Sequence, residues 1–360
     1  MDGKSKSRVQ NYFSAALKMM LGVALLLSLF SCRKLTYQAA YPTLSDGRYD
    51  SEFPYSNCSD ELDEISQSVK KIYCLVEYDL YRFSSDELFA EADLPGIRLK
   101  KKASERGFFS ESVHGTATVL KNENNRIVVL TCAHVINYPD TILSFMLDKS
   151  GQQTQYLESV AIKKKQTNFI RNLPDGGMLD IIAMDEELDI AFLGNTFSTG
   201  DIHIPTFNYP MGDAGELDWG NFVYIFGFPA GYQMVTRGIV SNPKLTKNGE
   251  FIIDALFNTG ISGGIVLAVR DGVPNFELVG IAKSVSARYK NVLKPENERH
   301  QEVYNPSIPY TGEVYVKMEK DINYGVTFTI SMGTIRKFYV ENRRSFLTGG
   351  YSLDRFFGID

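Results

Sequence analysis

The sequence lacks most of what would mark a metalloprotein, a nucleic-acid binder or a membrane-spanning chain. Its four cysteines and four histidines stand in no spacing that a zinc site requires, and no metal or cofactor is expected. It has no basic excess: 38 Lys and Arg against 43 Asp and Glu leave a net charge of −5, so no nucleic-acid partner is expected. Lys100-Lys101-Lys102 and Lys163-Lys164-Lys165 read as solvated loops. The apolar run from Met19 to Phe30 falls short of the ~20 residues that cross a bilayer.

What is present begins with that run. Lys4, Lys6, Arg8 and Lys18 precede it, and Leu29-Phe30-Ser31-Cys32 closes it as a bacterial lipobox does. Residues 1–31 are therefore expected to be a lipoprotein signal peptide, with Cys32 lipidated and holding the protein to a membrane. Residues 32–61, rich in Tyr, Ser, Asp and Pro without periodicity, read as a tether. Residues 62–345 suit one two-lobed β domain, followed by a tail over 346–360. Cys58 and Cys74 are candidates for a disulfide that spacing alone cannot establish. Cys132 reads as a small buried filler.

Val69 to Tyr78 has strand composition, Ser84 to about Ser112 reads as a polar surface insertion, and Gly115–Leu120, Asn122–Asn125 and Ile127–Thr131 form a hairpin. That hairpin delivers the first of three segments: Thr131-Cys132-Ala133-His134-Val135, Leu188-Asp189-Ile190-Ala191-Phe192-Leu193 and Gly260-Ile261-Ser262-Gly263-Gly264. A serine hydroxyl is a weak nucleophile near neutral pH. It needs a histidine to take its proton, a carboxylate to orient that histidine, and N–H groups aimed at the developing oxyanion. The three segments supply those parts, in the order His, Asp, Ser. The rival reading of Gly260, Ser262 and Gly264 as a nucleophile elbow requires an acid and a histidine downstream, where only His300 stands. It also requires a helix after the serine, where Ile265–Val269 reads as a strand closed by Asp271-Gly272. His114 and His203 are taken as surface or structural residues.

From Val69 to Tyr339 the chain resembles HtrA/Deg-type trypsin-like peptidases. The resemblance is carried by Met211-Gly-Asp-Ala-Gly-Glu-Leu-Asp-Trp-Gly220, Gly227-Phe-Pro-Ala-Gly231, Thr236-Arg-Gly-Ile-Val-Ser241 and the series ending in Gly264. It implies an all-β fold of two six-stranded antiparallel barrels, chymotrypsin-like, with a short C-terminal helix expected over Thr334–Asn342 and capped by Thr334. It implies that His134 is the general base, Asp189 its orienting acid and Ser262 the nucleophile, with Gly260 and Ser262 N–H groups as the oxyanion hole. Leu256 and Phe257 would floor the specificity pocket and Ile281, Ala282 and Lys283 would wall it, favouring cleavage after apolar residues; Lys283 turned inward would instead recruit an acidic one. Ile261 and Ile265 depart from the family pattern and put apolar bulk near the oxyanion hole. Ile261 also removes the acid to which a newly cut N-terminus would pair, so no activation of that kind is expected. The tail cannot hold a PDZ domain. The reading is a serine endopeptidase of the bacterial envelope that takes protein or peptide substrates; the alternatives are an inactive binding or scaffold module and, more remotely, an esterase.

Overall fold

The computed structural model describes residues 19–20, 45–52, 56–96, 98–148, 151–198, 203–255, 258–295 and 314–359. Seven strands make the first lobe: β1 (Val69–Arg82), β2 (Glu105–Glu123), β3 (Arg126–Thr131), β4 (Thr141–Leu147), β5 (Gln153–Ile170), β6 (Met178–Asp185) and β7 (Ile190–Thr196). They pair in the order β1-β2-β3-β7-β6-β5, and β5 returns to β1, so six strands close a barrel while β4 rides on the free edge of β5. The second lobe is a closed barrel of β8 (Phe222–Gly227), β9 (Met234–Asn242), β10 (Glu250–Ile253), β11 (Ile265–Val269), β12 (Phe276–Pro295) and β13 (Val314–Ser331), in the order β10-β13-β12-β11-β8-β9. This is the expected chymotrypsin-like pair of six-stranded antiparallel barrels.

Local sequence explains the strands that matter for the site. Asn124 and Asn125 take left-handed φ of 52° and 62°, which asparagine tolerates, and they turn β2 into β3. Ile127 to Thr131 are all buried, with β3 wedged between β2 and β7. All five residues of β11 are buried as well, between β8 and β12. Continuous β-branched and apolar runs of this kind suit strands covered on both faces.

The surface insertion expected from Ser84 is shorter than the sequence suggested. β1 and β2 stay paired out to Arg82 and Glu105. Only β1 contributes buried side chains there, Val76, Tyr78 and Tyr81 among them, while 105–112 on β2 are almost wholly exposed. A strand exposed on both faces carries loop-like composition, which hid it.

The expected tether is in part a strap. Tyr49 and Asp50 are buried against the second barrel: Asp50 N–H donates to the Val269 carbonyl (2.9 Å) and Phe222 N–H to the Asp50 carbonyl (2.8 Å). A helix over Ser59–Ser68 then leads into β1. Cys58 and Cys74 are buried free thiols, not a disulfide. Cys32 and nearly all of the expected signal peptide lie outside the described residues; among those described, no helix is long and apolar enough to cross a membrane.

The C-terminal helix is longer than expected, Met332–Gly349. Ser331, not Thr334, caps it, accepting from the Thr334 N–H. The tail does not leave the domain at 345. Phe346, Leu353 and Phe357 are buried, and the Phe346 ring meets Phe192 of β7 edge-on at 5.2 Å. The helix that follows the second barrel thus returns to seal the first.

Candidate active site

β3 ends in a short 3-10 turn, Ala133–Val135, that lifts His134 out of the buried strand. Asp189 closes the turn before β7, in the left-handed region at φ 60°, and is buried to 5% exposure. Its carboxylate holds the histidine twice: Oδ1 accepts from the His134 backbone N–H (2.8 Å), and Oδ2 lies 2.8 Å from ring Nδ1. The Asp189 carbonyl also accepts from Ala133 N–H at 3.2 Å. A carboxylate only accepts, so Nδ1 carries the proton and Nε2 presents its lone pair. The His134 side chain is 47% exposed, so the face away from Asp189 is open to the cleft.

Ser262 lies in a loop shaped by its glycines. Gly260 and Gly263 have φ of 102° and 84°, where a Cβ is opposed. A Cβ at Gly263 would stand 2.6 Å from Thr131 Oγ1, three residues before the histidine, and one at Gly115 would stand 2.7 Å from both Val135 methyls and 3.2 Å from the Ser262 carbonyl. The Ser262 carbonyl accepts from Thr116 N–H at 2.8 Å. Residues flanking His134 and the serine loop therefore meet on the two sides of the Gly115–Thr116 backbone, at the junction of the barrels.

The same loop leaves the two expected oxyanion donors unpaired. The Thr259 carbonyl accepts from Ala230 N–H (2.8 Å) and the Ile261 carbonyl from Gly264 N–H (2.7 Å). In a trans peptide the N–H points opposite to the C=O, so the Gly260 and Ser262 N–H groups are turned away from those partners. Among the described residues neither N–H has a hydrogen-bond partner. Thr116 Oγ1 fixes the loop further, donating to the Gly260 carbonyl (2.8 Å) while accepting from Phe228 N–H (2.9 Å). Ile261 and Ile265 both point into packed cores, at 2% and 0% exposure, so their bulk is not in the cleft.

The expected pocket wall is only partly a wall. Ile281 and Ala282 are fully buried, and the Ala282 backbone is committed to the serine loop: its N–H donates to the Gly264 carbonyl (2.7 Å) and its carbonyl accepts from Gly263 N–H (2.8 Å). They support Ser262 from behind and do not line a cleft. Lys283, at a bulge of β12, pairs with Glu250 Oε1 at 2.7 Å, so its charge is already answered. Leu256 and Phe257 lie outside the described residues.

Cys132 is the buried filler expected. Burial holds its thiol well above the ordinary cysteine range, with Asp189 adding to the effect, and Sγ lies 3.4 Å from the Ala282 carbonyl. Its Sγ and the ligand atoms of His134 and Asp189 lie within 4.8 Å of one another, but a metal there would have to break the His134–Asp189 pair and deprotonate a buried thiol. His203 is exposed. His114 is not a mere surface residue: its Nε2 sits 2.7 Å from where a Gly260 Cβ would be and is buried without a partner. The sequence signal was its place immediately before Gly115, on the strand that touches the serine loop.

The profile of the trypsin-like peptidase domain matches residues 115–281, which contain all three segments. No curated protein matches the chain. Among solved structures it is similar to the HtrA-type protease AlgW with tripeptide, at 18% identity over 82% of this chain and 65% of that one, with a TM-score of 0.39. It is also similar to the thermostable serine protease AL20 from an extremophilic microorganism, at 11% identity over 78% of this chain and 98% of that one, with a TM-score of 0.36. At those scores the strand order and the hydrogen bonds of the site carry the reading, not the neighbours.

Proposed function

We propose that the protein is a serine endopeptidase of the bacterial cell envelope, lipid-anchored through Cys32. Ser262 Oγ attacks the scissile carbonyl while His134 Nε2 takes its proton; Asp189 steadies the imidazolium; the Gly260 and Ser262 N–H groups receive the oxyanion. His134 then protonates the leaving amine, and water, deprotonated by the same nitrogen, cleaves the acyl-enzyme. The observation that carries the reading is the double grip of buried Asp189 on His134, through backbone N–H at 2.8 Å and ring Nδ1 at 2.8 Å. That arrangement fixes tautomer and orientation together, which a merely structural histidine does not need.

Labelling with a fluorophosphonate tests it. Wild-type protein should label and Ser262→Ala should not, with turnover falling about 10⁶-fold; a folded wild type that stays unlabelled would make the chain a binding scaffold. The preference for apolar residues before the cut rests on Leu256 and Phe257, and peptides ending in Leu or Phe should outrun those ending in Glu. Faster cleavage after Glu overturns it. Anchoring is read from detergent partitioning: Cys32→Ser should move the protein to the aqueous phase.

A further inference from the structure

On the first barrel, a pair of cations converges on one aromatic ring beside the serine loop. Ile72 and Cys74 of β1 are fully buried, so the alternating residues Lys71 and Tyr73 face outward. Tyr73 pairs with His114 of β2 on one side and Phe169 of β5 on the other, and the Phe169 ring stacks on it at 5.2 Å. Lys71 Nζ lies 5.1 Å and Arg171 Cζ 4.7 Å from the centre of the Tyr73 ring. The ring attracts both cations, yet it carries no net charge. Among the described residues neither cation has a carboxylate within 4.0 Å, although the chain as a whole has a net charge of −5.

The position of this platform is fixed by His114. Its ring centre is 6.4 Å from that of Tyr73, and its Nε2 lies 2.7 Å and 3.9 Å from the places a Cβ would take on Gly260 and Gly231. Lys71 Nζ comes within 2.6 Å of that same Gly231 position. One imidazole thus stands between the two cations and Gly260, whose N–H is the proposed oxyanion donor. The burial of His114, with Lys71 nearby, pushes its pKa down, so it adds no lasting charge of its own. β12, along which the acyl half of a substrate would run, packs behind Gly263 and Gly264, on the other side of Ser262.

We propose that Lys71, Tyr73 and Arg171, walled off from Gly260 by His114, form a subsite for an acidic side chain of the polypeptide substrate on the leaving-group side of the scissile bond. The inference rests on the serine-peptidase reading for its direction along the substrate. An extended chain advances about 3.3 Å per residue, so crossing one imidazole places the acidic residue first or second after the cut. The guanidinium offers a carboxylate a two-pronged donor, the ammonium a point charge and the phenol a hydroxyl.

The test uses the full chain and two readouts. Peptides with one fixed acyl half and Glu, Ala or Lys at the first and second leaving-group positions are compared by kcat/KM. Glu should exceed Lys by about tenfold at low salt and by less at high salt, and the ratio should drop about threefold for each of Lys71→Ala and Arg171→Ala. Lys71→Glu should reverse the order. The second readout is fluorescence anisotropy of the uncleaved Glu and Lys peptides on Ser262→Ala protein, which reports the subsite even if no turnover occurs. Equal binding of the two peptides there overturns the inference whatever the fate of the peptidase reading. Variants that weaken all peptides alike, or cations that instead govern binding to phosphatidylglycerol vesicles, overturn it as well.

Discussion

The two barrels contribute to the proposed site by opposite means, and each is sealed by the terminus of the other's side of the chain. The first barrel supplies acid and base, gripped side chain to side chain at 2.8 Å, and its open end is closed by aromatic rings from the C-terminal helix and tail. Phe192 meets Phe338 at 6.1 Å and Phe346 at 5.2 Å, and Tyr339 stacks on Phe357 at 4.7 Å. The second barrel supplies hydroxyl and N–H donors, held by backbone bonds and glycines, and is strapped by a polar N-terminal segment. There Tyr49 donates to Glu277 (2.6 Å), Arg270 pairs with Glu216 (2.6 Å) and Glu277 (2.9 Å), and Asp50 accepts from Gly272 N–H (2.8 Å). Each seal also holds a carboxylate, and the two respond to pH in opposite senses: Arg343 and Tyr339 hold Asp354 of the first seal well below the usual carboxylate range, and burial pushes Asp50 of the second above it. Chemistry should therefore fail first when the first barrel's side chains are changed, and above about pH 5 stability should respond to pH chiefly through the second.

The largest break is Asp189→Asn. The amide can donate to Nδ1 and so favours the wrong tautomer of His134; turnover should fall about 10⁴-fold with the melting temperature nearly unchanged. A loss below tenfold would mean that the acid is not needed to orient the base. Next is Phe357→Ala, which removes a ring of 1% exposure and should cost about 3–5 kcal/mol, measured by urea unfolding. An equal effect from trimming Tyr49 would erase the distinction between an apolar and a polar seal.

Thr116→Val attacks the seam. Thr116 stands on the first barrel yet holds the second barrel's loop by one hydroxyl that both donates to the Gly260 carbonyl and accepts from Phe228 N–H. Loss of that brace should lower kcat about 10²-fold with KM little changed, as for loss of one oxyanion donor, and Thr116→Ser should restore most of it. An unchanged kcat would show that the glycines alone set the loop.

That seam also marks where the sequence stopped being readable. His134, Asp189 and Ser262, the proposed triad, sit among local neighbours that announce them, and the glycines announce a strained loop. Thr116 and Ala282 act through bonds to residues 144 and 18 positions away respectively, and nothing in their own neighbourhood distinguishes them from ordinary strand residues. The resemblance assigns Ile281 and Ala282 to the cleft wall by their position in the motif, and a motif position does not show which face of a strand meets the core. The strap at Tyr49 failed for a similar reason: its composition is that of a linker, and its partners Arg270 and Glu277 are more than two hundred residues away. Ser331 and Thr334 compete for one cap, and only the backbone entering the helix separates them.

The smallest expected effect is the pH response of the strap. Asp50 is buried, one oxygen accepts from Gly272 N–H, and the other has no partner. Loss of solvation, with Glu52, Asp271 and Asp46 nearby, pushes its pKa up to about 6. In the unfolded chain the group titrates near 3.9. Between those values the folded state binds the proton and the unfolded state does not, so stability declines as pH rises from about 4 through 6 and stays lower above it. Asp50→Asn keeps an oxygen for Gly272 and removes the charge. It should stabilise the protein by about 1 kcal/mol at pH 8, a figure kept below the full shift for solvent screening, and by almost nothing at pH 4. Urea unfolding at the two pH values measures the difference. A gain of the same size at both would trace the effect to packing, and the charged seal of the second barrel would then be no more sensitive to pH than the aromatic seal of the first.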